Sequence, residues 1–286
     1  MRIVFFGTPR FAVPTLDALA REHEVVLAVA QPDKPAGRGM HVQAPAVVAR
    51  ARELGFRVAQ PAKIRDFVPP AADAAVVVAY GKILPASLLA AMPFYNVHAS
   101  LLPKYRGAAP IQRAIEHGET ETGVTIMRVD AELDHGPMLA SASAPIGPDE
   151  HSPALSSRLS ALGAELLVRA LRERPPEVEQ DHARATLAPK IEKEEGLVRW
   201  SEPARAIYDK FRAFDPWPGV FTSSFKLVDI APAPGEGEPG AVIAIDDGVV
   251  VACGEGALRL RTIQRAGKPR VSAMDVARAE RWRVVP

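Results

Sequence analysis

The stretch YNVHASLLPKYRGAAP, residues 95–110, joins a short apolar run to a polar loop and decides how the rest of the chain is interpreted. In an extended strand, residues two apart point to the same side, so Asn96 and His98 share one face near the strand's C-terminal end. Open α/β sheets bind their ligands at that end. An imidazole that can charge near neutral pH, beside an amide donor, suits a reaction in which an oxygen gains negative charge. A lone histidine in a strand is more often structural, so a catalytic role depends on the remaining sequence.

The apolar runs before this stretch predict a parallel sheet. Residues 2–6, 24–30 and 74–80 have the hydrophobic character of buried strands, and residues 11–20 carry apolar side chains at helical spacing. Strands that alternate with helices form parallel sheets with right-handed crossovers, so we expect a Rossmann-like α/β domain. No Gly-x-Gly-x-x-Gly follows the first strand, which disfavours a dinucleotide site. Further helices are predicted over 44–54, 86–92, 107–117 and 152–172, and further strands over 57–60, 124–129 and 138–143.

The last third of the chain has a different pattern. Ser201 and Pro203 have the residue types of a helix cap and a first helical position, and predict a helix to about Ala213. Short strands with a hairpin turn at residues 247–248 predict a small, OB-like β-barrel. These strands are predicted over 220–225, 241–245, 249–253 and 257–264. The predicted domains are an α/β domain over 1–174, a linker over 175–199 and the β-barrel over 200–286.

The composition is that of a soluble globular protein with room for two domains. Of 286 residues, 48% are hydrophobic and 24% are charged, and the net charge is +1. A single cysteine excludes a disulfide framework and a cysteine-based zinc site, and fits a reducing compartment. The N-terminus lacks the features of a signal peptide, and no apolar run is long enough to cross a bilayer. We therefore expect a cytoplasmic protein without a membrane partner, and a monomer.

Positive charge is concentrated in two segments. Residues 257–286 carry eight cations and two acids, and thus a net charge of +6. This segment is either a solvated surface or, as we favour on a small β-barrel, a face for nucleic acid. Residues 31–40 contain two prolines, two glycines and the cations Lys34 and Arg38. They predict an exposed loop, which is either an ordinary crossover or a contact with an anionic partner.

With these motifs placed, the chain resembles the folate-dependent formyltransferase family, and within it the methionyl-tRNA branch, nearly from end to end. The Asn96-x-His98 pair followed by SLLP at 100–103 marks the family broadly. The C-terminal domain and the loop at 31–39 narrow the resemblance to the tRNA branch. Other matching segments are FGTP at 6–9, VAYGKILP at 78–85, residues 119–125 and 130–136, KEEGLVRW at 193–200, and RA at 212–213 with PWPG at 216–219.

The resemblance implies transfer of a formyl group from 10-formyltetrahydrofolate to the α-amino group of methionine on initiator tRNA, for translation initiation. It implies a catalytic trio of Asn96, His98 and Asp134, with no metal. Asn96 and charged His98 would stabilise an oxyanion, while Asp134 would orient His98, favour its charged form and help to move protons. The implied folate-site residues are Ser100, Leu101, Leu102 and Pro103, with Tyr80, Gly81, Ile83 and Leu84 nearby. The resemblance implies that the loop with Arg38 contacts the acceptor end of the tRNA. The candidate tRNA contacts are therefore Lys34 and Arg38 in the loop and, from the basic segment of the C-terminal domain, Arg259, Arg261, Arg265, Lys268 and Arg270.

Two features depart from the family pattern. Relatives often follow the Arg-Gly of the loop with lysines, whereas this chain has Met40 and His41 and a shorter loop. Arg38 then carries more of the tRNA contact, or the contact is weaker. His135 stands where threonine is common, and is either neutral or tunes Asp134.

Several other functions fit part of the sequence. A 10-formyltetrahydrofolate hydrolase would use the same trio with water as acceptor, and a glycinamide-ribonucleotide transformylase would leave the last hundred residues unexplained. A formyltransferase for an amino-sugar nucleotide is a closer alternative, because such enzymes carry a similar C-terminal domain. An RNA-binding protein without catalysis is disfavoured by the complete trio. A metal site from His98, His117 and Asp134 is disfavoured because their spacing has no ligand pattern.

Overall fold

The computed structural model describes residues 1–36 and 41–286, and the chain forms two compact units. Unit 1 comprises Met1–Pro110, Glu121–Pro145 and Leu155–Pro189. Unit 2 comprises Ile111–Thr120, Ile146–Ala154 and Lys190–Pro286.

Unit 1 is built on a seven-stranded sheet in the order β10-β9-β7-β6-β1-β2-β5. The five strands from β7 to β5 in that order are parallel, while β9 and β10 are antiparallel to their neighbours. This confirms the mostly parallel, Rossmann-like sheet. The strands are β1 (Arg2–Gly7), β2 (Glu24–Val29), β5 (Val58–Ala59), β6 (Ala74–Val78), β7 (Phe94–His98), β9 (Glu121–Arg128) and β10 (Met138–Pro145).

The central strands form because their side chains are apolar on both faces. Residues 3–6 of β1 are completely buried, as are the first three residues of β6. A parallel strand that is covered on both faces needs a continuous hydrophobic run, which is what the sequence showed. The polar residues Asn96 and His98 on β7 break this pattern, and so they stand out within the sheet.

Helices and two short strand pairs complete unit 1. The helices are α1 (Val13–Glu22), α2 (Ala46–Glu53), α3 (Ala86–Leu89) and α5 (Ser152–Glu173), the last beginning in a segment of unit 2. Strand β3 (Lys34–Ala36) pairs with β4 (His41–Gln43), and β8 (Arg106–Gly107) pairs with β11 (Leu187–Ala188). The predicted loop over 31–40 is therefore partly a strand pair, while Arg38 and Met40 lie outside the described residues.

Unit 2 contains a five-stranded antiparallel sheet in the order β12-β15-β14-β13, with β16 paired to β15. Its strands are β12 (Lys226–Ala233), β13 (Val242–Ile245), β14 (Val249–Ala252), β15 (Ala257–Gln264) and β16 (Arg270–Ser272). Its helices are α4 (Pro110–Glu116, of which Pro110 is assigned to unit 1), α6 (Ala204–Ala213) and α7 (Ala273–Glu280). The separate antiparallel C-terminal domain is thus confirmed.

Two local predictions for unit 2 were wrong, and one helix was not predicted. Residues 220–225 are not a strand, because the hydroxyl of Thr222 accepts from the backbone N–H groups of Ser224 and Phe225 and closes a turn. Ser201 does not cap α6, because Pro203 occupies the cap position and the Ala204 N–H donates to the Glu255 carbonyl. Helix α7 was not predicted, although Ser272 caps it by accepting from the Asp275 N–H.

Within the described ranges, no helix combines the length and the apolar character that crossing a membrane requires.

Candidate active site

Strand β7 places Asn96 and His98 near its C-terminal end, between parallel β6 and antiparallel β9. Asn96 is half-buried and His98 is only 5% exposed. Because the two residues alternate with buried Val97, their side chains share one face of the strand, as the sequence predicted.

The carboxylate of Asp134 meets both side chains. Asn96 Nδ2 donates to Asp134 Oδ1 at 3.2 Å, and the Gly107 N–H donates to Oδ2 at 2.9 Å. His98 Nδ1 lies 3.6 Å from the same Oδ2. The structure therefore brings together all three members of the predicted trio in unit 1, and adds a backbone donor from β8.

The orientation of the His98 ring is set by a different partner. Its Nε2 lies 2.8 Å from the carbonyl oxygen of Tyr105. A carbonyl can only accept, so Nε2 carries the hydrogen and Nδ1 faces Asp134. The 3.6 Å separation between Nδ1 and Oδ2 is too long for a hydrogen bond. The family resemblance implied that Asp134 orients His98, whereas in this geometry the Tyr105 carbonyl holds the ring.

Two residues of this site have left-handed backbone conformations. Tyr105 has φ +61° and Asp134 has φ +48°, which are uncommon for residues other than glycine. The Tyr105 N–H donates to the Thr186 hydroxyl at 2.9 Å, which fixes the turn that delivers its carbonyl to His98. Such conformations persist only where surrounding contacts determine them, and they are concentrated at functional sites.

A buried polar pair lies behind the Asp134 turn. Gln180 Nε2 donates to the carbonyls of Asp134 at 3.0 Å and Gly136 at 2.8 Å. Gln180 Oε1 accepts from Arg106 Nε at 3.2 Å and Arg106 Nη2 at 2.7 Å. Sequence reasoning missed this pair because its members are 74 positions apart. The only signal was that Arg106 belongs to the motif at 95–110.

His135 bonds elsewhere than to the Asp134 carboxylate. Its Nδ1 lies 2.7 Å from Asp130 Oδ2, and its ring stacks on His182 with centroids 4.0 Å apart. His182 Nδ1 in turn accepts from Arg106 Nη2 at 2.8 Å. His135 therefore packs, through His182, beside the Arg106 side chain. Its Nδ1 bonds to Asp130 rather than to the Asp134 carboxylate, so no direct contact among the described residues supports an effect of His135 on Asp134.

The predicted folate segment 100–103 forms a tight turn that is held from within. Ser100 Oγ donates to the Lys104 carbonyl at 2.6 Å. The Thr125 hydroxyl donates to the Ser100 carbonyl at 2.8 Å and accepts from the Leu102 N–H at 3.1 Å. Leu101 lies against Gly123, where an added Cβ would come 2.5 Å from Leu101 Cδ2. Leu101 and Pro103 are half-buried, so they are available as apolar walls.

The second predicted folate segment divides between core and surface. Tyr80 is 1% exposed and packs edge-to-face on Phe6, and burial raises the pKa of its hydroxyl. Its side chain therefore belongs to the core. Ile83 is 87% exposed, whereas Leu84 packs against the core. The carbonyls of Tyr80 and Gly81 both accept from Gln31 Nε2, at 2.8 and 3.2 Å.

The predicted tRNA contacts differ in how their charges are paired. Lys34 is exposed and donates to Gln31 Oε1, whereas Arg38 lies outside the described residues. On the C-terminal sheet three arginines pair with carboxylates: Arg259 with Asp246 and Asp247, Arg261 with Asp229, and Arg265 with Glu280. The bond from Arg265 lowers the pKa of Glu280. Lys268 and Arg270 are exposed and have no carboxylate within 4 Å in the described part of the chain.

In the same described part, no group of three or more His, Cys, Asp or Glu side chains could hold a metal ion.

Family models match most of this chain. A model described as "Formyl transferase" matches residues 1–171, and one described as "Formyl transferase, C-terminal domain" matches residues 190–281. The chain belongs to the formyl transferase family. The first match contains the Asn96, His98 and Asp134 site, and the second contains the antiparallel sheet.

Relatives in the family cover the chain almost completely. It is 48% identical to a methionyl-tRNA formyltransferase of Anaeromyxobacter dehalogenans over an alignment of 310 positions, which covers 99% of each protein. It is 49% identical to one of Deinococcus radiodurans over 284 residues, covering 93% of this chain and 89% of that protein. Among solved structures, HypX from Aquifex aeolicus superposes with a TM-score of 0.63 at 21% identity. That match covers 97% of this chain and 47% of HypX, about half its length, and shows a shared fold.

Proposed function

We propose that this formyl transferase family member transfers the formyl group of 10-formyltetrahydrofolate to the α-amino group of methionyl-initiator tRNA. The observation that supports it most strongly is the 48–49% identity, over nearly the whole chain, to proteins named methionyl-tRNA formyltransferase. The geometry of Asn96, His98 and Asp134 supplies the groups that this reaction needs.

In the reaction, the amine attacks the formyl carbon, a new C–N bond forms, and the bond to the folate nitrogen breaks. Negative charge develops on the formyl oxygen, and the attacking amine must lose a proton while the leaving nitrogen gains one. The protein therefore has to supply hydrogen-bond donors for an oxygen and a group that accepts and returns a proton.

Asn96 can hold Asp134 and stabilise the oxyanion at the same time. A carboxamide nitrogen carries two N–H groups, and one of them donates to Asp134 Oδ1 at 3.2 Å. The other is left for the formyl oxygen. A positioned donor of this kind contributes about 10²–10³-fold in rate.

His98 offers Nδ1 to the reaction because Nε2 is held by the Tyr105 carbonyl. Neutral Nδ1 accepts a proton from the attacking amine, and charged Nδ1–H donates to the oxyanion or to the leaving nitrogen. Asp134 Oδ2, 3.6 Å away, stabilises the charged ring. A water or a substrate atom between Nδ1 and Oδ2 would close this gap.

In this proposal the formyl donor, 10-formyltetrahydrofolate, binds along the turn at 100–103 and the exposed end of the segment 80–84. Leu101, Pro103 and exposed Ile83 supply apolar surface beside backbone polar groups, which is how folate-sized ligands are usually held. HypX, which shares the fold, was solved in complex with tetrahydrofolic acid.

For the acceptor, we propose that the antiparallel unit is an OB-like barrel domain that binds tRNA, together with the loop that contains Lys34 and Arg38. Exposed Lys268 and Arg270 support this because their charges are not neutralised by carboxylates in the described part of the chain. We also propose that the protein is cytoplasmic, because initiator tRNA is aminoacylated and used in that compartment, and that it is a monomer.

A competition assay tests this function. Formyl transfer from 10-formyltetrahydrofolate is measured with methionyl-initiator tRNA, an amino-sugar nucleotide, glycinamide ribonucleotide and water as acceptors. We expect product on the methionyl-tRNA alone. Formylation of the sugar nucleotide, or release of free formate as the main product, would retain the chemistry of the trio and refute the proposed acceptor.

A further inference from the structure

We propose that Gln180 and Arg106 are positioning residues, which hold the backbone of the Asp134 turn so that its carboxylate reaches Asn96 and His98. The inference rests on the proposed function only in taking Asp134 as part of the formyl-transfer site. Neither side chain needs to contact a substrate.

Gln180 is fixed in one orientation by its partners. Its oxygen accepts twice from the Arg106 guanidinium, and its nitrogen donates to the carbonyls of Asp134 and Gly136. A flipped amide would place its oxygen against two carbonyls and its N–H groups against a guanidinium. Only one of the two amide orientations is therefore compatible with the site.

Both residues are buried, so their hydrogen bonds are not easily replaced by water. Gln180 is 4% exposed and Arg106 is 8% exposed. Removing one partner of a buried bond leaves the other unsatisfied, which is costly. The Asp134 and Gly136 carbonyls thus depend on Gln180, and Gln180 depends on Arg106.

The Asp134 turn needs this support because its backbone is in an unfavourable region. Asp134 has φ +48°, and the next residue but one, Gly136, lies so close to Arg128 that an added Cβ would meet its carbonyl. A change of a few tens of degrees at Asp134 would swing the carboxylate away from Asn96 Nδ2 and the Gly107 N–H. Misplacement by about 1 Å can cost up to ~10²-fold in rate.

Strand β8 connects the two supports. Arg106 acts on the backbone of Asp134 through Gln180, while the neighbouring Gly107 N–H bonds the Asp134 carboxylate directly. The backbone of Arg106 is itself held by the Thr186 carbonyl at 2.8 Å. One short strand thereby supports both the backbone carbonyl and the side-chain carboxylate of Asp134.

The Gln180→Glu variant separates positioning from general stability. A glutamate keeps the acceptor for Arg106 and adds an ion pair, but it cannot donate to the two carbonyls. We expect kcat to fall about 10- to 10²-fold, with KM for each substrate changed less than about 3-fold. The melting temperature should fall as well, because the buried Asp134 and Gly136 carbonyls lose their donor. Arg106→Lys, which keeps the charge but loses the fork that joins Gln180 to His182, is expected to lower kcat in the same way.

Ser160→Ala is the matched control in the same unit. Ser160 is a buried polar residue, 4% exposed, whose hydroxyl donates to the Phe11 carbonyl. The substitution removes one buried hydrogen bond to the backbone at a position away from the trio, so kcat of the variant should equal that of the unsubstituted protein. A loss of kcat in this control equal to that of Gln180→Glu would overturn the positioning role.

A double-mutant comparison gives the sharpest test. If Gln180 acts through Asp134, then Gln180→Glu in an Asp134→Asn background should cost less than about 2-fold further. Multiplicative losses, or a rise in KM with kcat unchanged, would contradict the proposal.

Histidine NMR separates this inference from the proposed function. With ¹⁵N-labelled histidine, Gln180→Glu should shift the ring nitrogens of His98 even without substrate, and unchanged His98 signals would refute the inference. If the unsubstituted protein formylates no acceptor, the proposed function fails, while the NMR comparison still decides whether Gln180 positions the site.

Discussion

At the residue scale, the most informative feature is that His98 has one nitrogen committed to structure. Nε2 donates to the Tyr105 carbonyl at 2.8 Å, which leaves Nδ1 as the nitrogen for proton transfer in the proposed reaction. The ring is 5% exposed, which keeps solvent away from that nitrogen and strengthens its interaction with Asp134. In the proposed function, these contacts fix the direction in which His98 presents its reactive nitrogen.

This predicts a specific outcome for His98→Ala. Turnover should fall by about 10²–10⁴-fold, because both proton transfer and oxyanion stabilisation are lost. Binding of a folate analogue, measured by fluorescence or calorimetry, should change little, since the apolar walls are intact. His98→Ala protein that turns over at the normal rate would remove His98 from the mechanism.

At the element scale, β8 is a two-residue strand whose geometry permits only glycine at its second position. Gly107 has φ +125°, and an added Cβ would lie 2.7 Å from the Ala188 carbonyl of the paired strand β11. The same residue donates its N–H to Asp134. The pairing of β8 with β11 therefore also positions the backbone N–H that bonds the Asp134 carboxylate.

Gly107→Ala should lower both stability and activity. We expect a loss of roughly 1–3 kcal/mol in unfolding free energy, from the disfavoured φ and the clash, and a fall in kcat as the Asp134 donor moves. Gly55→Ala is the control: Gly55 has φ +76° but nothing within 4 Å of an added Cβ. It should lose about 1 kcal/mol in chemical denaturation and keep full activity. Equal activity losses in both variants would refute the role of β8.

The elements that sequence reasoning found were those with a strong local signal. Strand β1 and strand β6 were predicted because a doubly covered strand must be continuously apolar. Helix α7 was not predicted because it is only eight residues long and lies in a segment whose cations indicated a charged surface, although Ser272 caps it. The Ser201 cap was wrong because a tertiary bond, from the Ala204 N–H to the Glu255 carbonyl, replaced the local one.

The candidate site shows the same limit. Alternation on β7 placed Asn96 and His98 on one face, whereas Asp134 came only from family resemblance. Nothing local connects Arg106 to Gln180 or His98 to the Tyr105 carbonyl, since both contacts depend on turns with left-handed residues. The division of the chain into domains 1–174, 175–199 and 200–286, and the closure of the barrel, stay predictions.

At the scale of the whole molecule, the pH dependence of stability should include a contribution from the ion pairs of unit 2. Arg113 donates to both carboxylate oxygens of Glu195, at 2.7 and 3.1 Å, and this bond lowers the pKa of Glu195. A carboxyl whose pKa is lower in the folded state stabilises the fold above its unfolded pKa of about 4.3. That stabilisation is lost as the pH falls through the lower, folded value.

Glu195→Gln should therefore destabilise the protein at pH 7 by about 1 kcal/mol. The difference from the unsubstituted protein should begin to shrink as the pH falls below about 4.3, the unfolded pKa, and should be smallest below the lowered folded pKa, where both proteins carry an uncharged side chain. Thermal melting between pH 3 and 7 measures it. Glu53→Gln, which breaks an exposed pair with Arg50, is the control and should change little at any pH. A difference for Glu195→Gln that is the same at pH 3 and pH 7 would contradict the assignment.

The distribution of paired and unpaired cations predicts which side chains contribute most to the proposed binding of tRNA. Arg259 and Arg265 are held by carboxylates, so a phosphate would have to compete with Asp246, Asp247 or Glu280. Lys268 and Arg270 have no such competitor in the described part of the chain. Each phosphate that a cation neutralises releases counterions, which makes binding depend on salt.

Replacing both Lys268 and Arg270 by alanine should thus weaken tRNA binding and flatten its salt dependence. The slope of log K against log salt should fall by about 0.7–0.9 for each phosphate contact that is lost, while folate binding is unchanged. Arg259→Ala with Arg265→Ala removes the same net charge and is the matched control, for which we expect a smaller change in slope. Filter-binding or fluorescence titrations at several salt concentrations measure both. Equal slopes for the two double variants would mean that overall charge, rather than unpaired cations on this surface, holds the tRNA.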